Sequence, residues 1–311
     1  MKFNFDYIKK IIKKNKTLYM FIKIIRAFIE YLHHGLAFSI AVILHKFINK
    51  YFLKYTEKKF LSINNYPKNI IDFILCYSMV QKYKKLDLNE LKKINYQKWA
   101  GNSGSTWHDT DKKYEKMDEL FERQADELPY ELSRILKLKK DINFCIVDIA
   151  VGNGYFLKYF TNKVNIKTKK IGIDINKKTI KENVKSKLFS EIKFLDGTVQ
   201  SNKNYLEKLS QDYHLIFFVR KSLTFFTEDE LIDLLNNIET FKNLHLFVLI
   251  EMNDLNMTVE KKSRIRDYHP LFFSHNYLKI FNKFNWKLNY EKTIYYNYFK
   301  NDYQINVIFK K

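Results

Sequence analysis

Between residues 143 and 160 the chain reads NFCIVDIAVGNGYFLKYF, and the spacing of its apolar positions changes midway. Phe144 to Val147 is an unbroken apolar run closed by Asp148, the pattern of a strand buried on both faces, and the strand stops by Ala150. Gly152, Asn153 and Gly154 follow. Then Tyr155, Phe156, Leu157, Tyr159 and Phe160 recur at the spacing of a helix packed on a sheet. The alternation continues downstream: residues 170–175 (KIGIDI), 192–195, 214–219 (HLIFFV) and 244–251 (LHLFVLIE) read as strands. Helical stretches are predicted over 177–190, 227–241 and 274–284, and two further strands near 287–296 and 303–309. Thr227 and Glu230 form a T-x-x-E capping box at the start of one helix. Strand and helix in turn predict an α/β fold with a parallel sheet, spanning roughly 120–311.

The chain before this region has a different pattern. Its first 60 residues read as helix rich in Ile, Phe, Leu and Tyr, with lysines at intervals and no signal-peptide cleavage pattern. The longest stretch free of Lys, Arg, Asp and Glu, 31–45, is fifteen residues, too short for a membrane span. Residues 95–113, NYQKWAGNSGSTWHDTDKK, break the helical pattern with two glycines and two tryptophans, and read equally as a lid over a site or as a linker. The expected organisation is a basic helical extension or cap over 1–100, a loop over 101–120 and an α/β domain over 121–311.

Charge adds a second division. Of the net +21, residues 1–100 hold 20 Lys+Arg against 6 Asp+Glu, a net of +14. That excess favours anionic partners such as nucleic acid, phospholipid headgroups or acidic glycans, although abundant Lys, Asn, Ile, Phe and Tyr also fit the codon bias of an AT-rich genome. Two cysteines, Cys76 and Cys145, argue against a disulfide framework and fit a reducing cytoplasm. His33 and His34 are adjacent and cannot share a helix face, so no metal pair is expected there.

The turn at 152–154 is the first candidate for chemistry. A helix N-terminus offers unpaired N–H groups, and a turn without side chains lets a ligand approach them, which suits a nucleotide-like molecule. A dinucleotide fingerprint would need a third glycine where Leu157 stands, and no phosphate loop with Gly-Lys-Ser or Gly-Lys-Thr is present. The acid followed by alternate small residues, Asp148, Ala150, Gly152 and Gly154, resembles motif I of the class I S-adenosylmethionine (SAM) dependent methyltransferases, with alanine at Ala150 where that family usually has glycine. The resemblance implies a Rossmann-like seven-stranded methyltransferase sheet behind an N-terminal helical extension, with SAM as cofactor. It assigns Asp174, at the end of the second strand, to the ribose hydroxyls, and the turn at Asp196 and Gly197 to the adenine side.

In an open α/β sheet the ligand lies beyond the carboxyl ends of the strands. His214 and His245 open strands at the opposite edge and are poor catalytic candidates, whereas Arg220, Lys221 and Glu251 stand at the ligand edge. Residues 253–274 contain Arg264, Arg266, Asp267, Tyr268, His269 and Pro270, where family members often carry an insertion that shapes the substrate pocket. His269 is the first candidate for general base and His108 the second, because histidine titrates near neutral pH. Arg220, Glu251, Arg266 and Tyr268 are the expected acceptor contacts. The sequence after the fourth strand, VRKSLTFF, has neither the Asn-Pro-Pro-Tyr signature of exocyclic-amine DNA methylases nor a cysteine for C5-pyrimidine chemistry, and no catechol-type set of metal-binding acids is evident. The reading is a SAM-dependent methyltransferase acting at oxygen on a small molecule or glycan unit. It is expected in the cytoplasm, with an anionic membrane surface as a partner of the N-terminal region and nucleic acid ranked below it. An RNA methyltransferase and a membrane-surface or scaffolding protein without turnover are the alternatives.

Overall fold

The computed structural model describes residues 70–101, 118–139, 141–254, 264–266, 269–295 and 302–311, with scattered helical positions between 39 and 51. The chain divides into two compact units, residues 1–82 and 83–311. In chain order the described elements are α1 (Ile70–Tyr83), α2 (Leu88–Ala100), α3 (Asp118–Ala125), α4 (Leu128–Lys137), β1 (Phe144–Ile149), α5 (Tyr155–Val164), β2 (Lys169–Asp174) and α6 (Lys177–Lys185). A 3-10 turn at Lys187–Phe189 then leads into β3 (Ile192–Asp196), α7 (Lys203–Asp212) and β4 (His214–Arg220). After a second 3-10 turn at Leu223–Phe225 come α8 (Glu228–Ile238), β5 (Leu244–Asp254), β6 (Arg264–Arg266), β7 (His269–Ser274), α9 (Tyr277–Lys283), β8 (Lys287–Tyr295) and β9 (Asp302–Lys310).

Seven strands form one sheet in the order β3-β2-β1-β4-β5-β9-β8. The first five are parallel, and β9 enters antiparallel between β5 and β8. This is the seven-stranded, Rossmann-like methyltransferase fold expected from the resemblance. The chain crosses from β1 outward to β3 and then returns to β4 beside β1, so the switch in strand order lies between β1 and β4, where α/β sheets open a ligand crevice.

The all-apolar strands owe their pattern to helices on both faces. Phe144, Ile146, Ile216 and Phe218 pack against α3, α4, α5 and α6, with Phe160 stacked on Phe218 at 4.6 Å. Cys145, Val147, Phe217 and Phe247 face the other way, toward α7, α8 and α9. Thr227 caps α8 with both halves of its capping box in place. Three elements extend the sequence reading. Helix α4 carries Leu128, Leu132 and Leu136 at four-residue spacing, α7 joins β3 to β4, and β6 with β7 makes a short hairpin inside 253–274. Helix α2, placed by the sequence in the extension, is tied to the sheet unit: Asn95 Nδ2 donates to Phe225 O at 2.6 Å, and Trp99 packs on Phe225 at 4.2 Å.

Candidate functional site

The carboxyl edge of β1, β2 and β3 brings most of the motif residues together. After Ile149 the backbone enters a left-handed turn, with φ of 60° at Ala150, 56° at Gly152 and 77° at Gly154. Ala150 therefore adopts the conformation for which glycine is usual, at a cost of roughly 1–2 kcal/mol for an L-residue. Gly154 is the N-cap of α5, and a Cβ there would lie 2.9 Å from the Phe194 ring, so both its conformation and its surroundings require glycine.

Asp174 organises this edge. It is buried; Oδ2 accepts from Gly152 N at 2.9 Å and Oδ1 from Asn176 N at 2.8 Å. Each carboxylate oxygen retains a further acceptor position. Its carbonyl accepts from Gly197 N at 2.9 Å, tying the end of β3 to that of β2. Asp196 stands beside Asp174 in register, more than half exposed, with Lys177 Nζ at 3.8 Å. Asn176 caps α6 through Thr179 N and donates to the carbonyls of Trp99 and Gly101, so the last turn of α2 is fastened two residues from Asp174.

Asp148 lies within β1, buried, with its carboxyl pushed well above the usual range by burial, while Arg220 draws it down and Asp174 pushes it further up. Arg220 ends β4, packed over the Phe156 ring at 4.2 Å and hydrogen-bonded to Gln124 Oε1 through Nε at 3.0 Å and Nη2 at 2.6 Å. Lys221 follows with φ 53°, and its amine is lowered to about 7, chiefly by burial and then by Arg220, with Glu251 opposing. Glu251 is fully buried; Oε1 accepts from Ser222 N at 2.6 Å and Leu223 N at 2.7 Å and so builds the turn after β4.

In the segment after β5, His269 opens β7 and pairs in register with Arg266 of β6. His108 and Tyr268 lie outside the described residues. The hairpin borders the same turn, since Thr224 Oγ1 donates to Phe273 O at 3.0 Å and Phe225 meets Phe272 at 4.8 Å. His275, absent from the sequence-derived candidates, is fully buried with Nε2 between the carbonyls of Leu223 at 3.2 Å and Phe226 at 2.9 Å. His214 begins β4 and His245 lies near the start of β5 at the far edge, their rings 5.8 Å apart. Among the described residues no cluster of His, Cys, Asp or Glu could hold a metal ion. Nor, among them, is any helix long and apolar enough to cross a membrane.

No family model and no curated protein matches this chain. Solved structures do. The plantazolicin methyltransferase BpumL, solved with S-adenosylhomocysteine (SAH), is 14% identical with a TM-score of 0.49, covering 75% of this chain and 99% of its own. The magnesium protoporphyrin IX methyltransferase ChlM from Synechocystis PCC 6803, also with SAH, is 11% identical with a TM-score of 0.46 over 71% of this chain and 99% of its own. LepI, solved with SAH and a substrate analogue, is 14% identical with a TM-score of 0.39, covers 55% of this chain, and is itself matched over only 43% of its length.

Proposed function

We propose that the protein is a SAM-dependent methyltransferase, acting at oxygen on a small molecule or glycan unit. The observation that supports it best is the carboxyl edge of β1 to β3, where Asp174 ties the Gly152 turn and presents a carboxylate beside the exposed Asp196. Its parts fit this cofactor: a turn without Cβ atoms for close approach, an acid for the ribose hydroxyls, and a buried acid, Asp148, whose ionised form a cationic ligand would favour. SAM supplies an activated methyl group on sulfur. The chain's own task is to align the acceptor with it and take up the acceptor's proton.

The turn after β4 and the β6–β7 hairpin are the acceptor side in this reading. Trp99, Phe225 and Phe272 form a half-buried aromatic face there, suited to an apolar or planar part of the acceptor. Arg220 and Arg266 are the proposed contacts for anionic groups of the acceptor, and Tyr268 a further proposed acceptor contact. Lys221, with its amine near neutrality, joins His269 and His108 as a candidate proton acceptor. Calorimetry of the full chain with SAM and SAH tests the central claim. Binding of both at a single site is expected, and the absence of any binding to folded protein would remove the proposal.

A further inference from the structure

The outer face of α6 is not an ordinary solvated helix face. Thr179, Ile180 and Asn183 turn inward. Outward, at helical spacing, stand Lys177, Lys181, Val184 and, in the 3-10 turn that follows, Leu188, flanked by Lys178, Lys185 and Lys187, with Glu182 the one acid of the helix on its exposed side. Val184 is 64% and Leu188 44% exposed, so two aliphatic side chains point away from the core in a field of lysines.

Charge elsewhere in the same unit argues against lysine richness alone as the cause. Residues 158–193 contain 11 lysines against 3 acids, one of which is the buried Asp174. On the opposite face of the sheet, α8 carries Glu228, Asp229, Glu230 and Asp233 and no basic residue. A uniform compositional bias would not leave one helix without a lysine while another has four. Beside α6 a cavity of about 270 Å³ is bounded by Val184, Phe189, Ile192 and Phe194, with Lys193 and Ser186 among its polar lining.

We infer that this α6 face docks on an anionic phospholipid surface, with the lysines over the headgroups and Val184 and Leu188 entering the headgroup boundary. Lysines paired with exposed aliphatic residues are the composition of an in-plane interfacial helix. Nucleic acid is favoured less, because the face has no arginine for bidentate phosphate contacts and no exposed aromatic ring on which a base could stack. This surface belongs to the sheet unit and is distinct from the basic N-terminal extension.

The test is co-sedimentation of the full chain with phosphatidylcholine vesicles, with and without phosphatidylglycerol, at low and high salt. Anionic vesicles should bind the protein, and salt should weaken the binding. The triple variant Lys178→Glu, Lys181→Glu, Lys185→Glu should lower partitioning at least a hundredfold, taking about 1 kcal/mol per lysine. The pair Val184→Ser, Leu188→Ser should lower it about tenfold without changing charge. All five side chains are exposed, so circular dichroism should find both variants folded; if the triple variant unfolds, Lys→Gln at the same positions replaces it. Wild-type partitioning by both variants would overturn the inference. So would loss of poly-uridine binding in the lysine variant while the serine pair sediments with vesicles like wild type.

Discussion

Asp174→Ala removes a group that the folded chain uses before any cofactor arrives. Its carboxylate accepts two backbone N–H bonds, from Gly152 at 2.9 Å and Asn176 at 2.8 Å, in a buried position. A hydrogen bond to a charged group contributes roughly 1.5–3 kcal/mol, and water can reach the freed donors only in part, so the loss of both should cost the ligand-free protein about 3 kcal/mol. Asp174→Asn keeps one acceptor oxygen but sets its amide hydrogens against the other N–H, and should cost about half as much. Urea denaturation followed by tryptophan fluorescence measures this, because the unfolding free energy and its slope come from the same curve. Calorimetry with SAH then separates the ribose role, which should remove roughly a further 2–4 kcal/mol of binding from Asp174→Ala. An alanine variant as stable as wild type without ligand would refute the reasoning that Asp174 builds the turn. Normal stability with lost affinity would leave it a ligand contact alone.

His245, 7% exposed and lowered to about 4 mainly by burial, then by Lys139, His214 and Lys310, should act as an acid-sensitive group. Its folded pKa lies below the unfolded 6.5, so its contribution is complete above pH 6.5 and is lost as pH falls toward 4, by roughly 3 kcal/mol at most. Its Nε2 has no hydrogen-bond partner among the described residues, so His245→Phe should flatten the acid limb of a stability–pH curve, and an unchanged limb would contradict the assignment. Gly154→Ala should lower the melting temperature by the equivalent of about 1–2 kcal/mol from the left-handed backbone, with a further loss from the Cβ against Phe194, and should weaken SAH binding. No change in either would show that the turn is not held in this conformation.

Much of the frame was legible because burial on two faces leaves a simple trace. The largely apolar stretches at 144–147, 214–219 and 244–251 read as buried strands and are central strands of the sheet, and Thr227 with Glu230 marked the start of α8. Helix α7 left a weaker trace, since only Leu206 and Leu209 supply its buried apolar face within a polar stretch. The hairpin of β6 and β7 is too short to show a period. In the site, the small residues and Asp174 could be found by spacing, whereas Asn176, Gln124 and His275 could not. Their roles are hydrogen bonds to carbonyls or side chains far away in the chain, and one asparagine among many carries no local signal.

Gln124 has a consequence for how the protein is made. Its side chain holds Arg220, and its carbonyl accepts from Gln304 at 2.7 Å and Asn306 at 3.0 Å, both on β9. The arginine at the candidate acceptor edge is thus fixed through a residue that the last strand clamps. On a ribosome, β1 to β5 would emerge before β9, so the bonds that hold the Gln124 carbonyl are added only when β9 inserts between β5 and β8. This corner is complete only once β9 is in place, and a substitution at Gln304 would act on Arg220 from a distance, through Gln124.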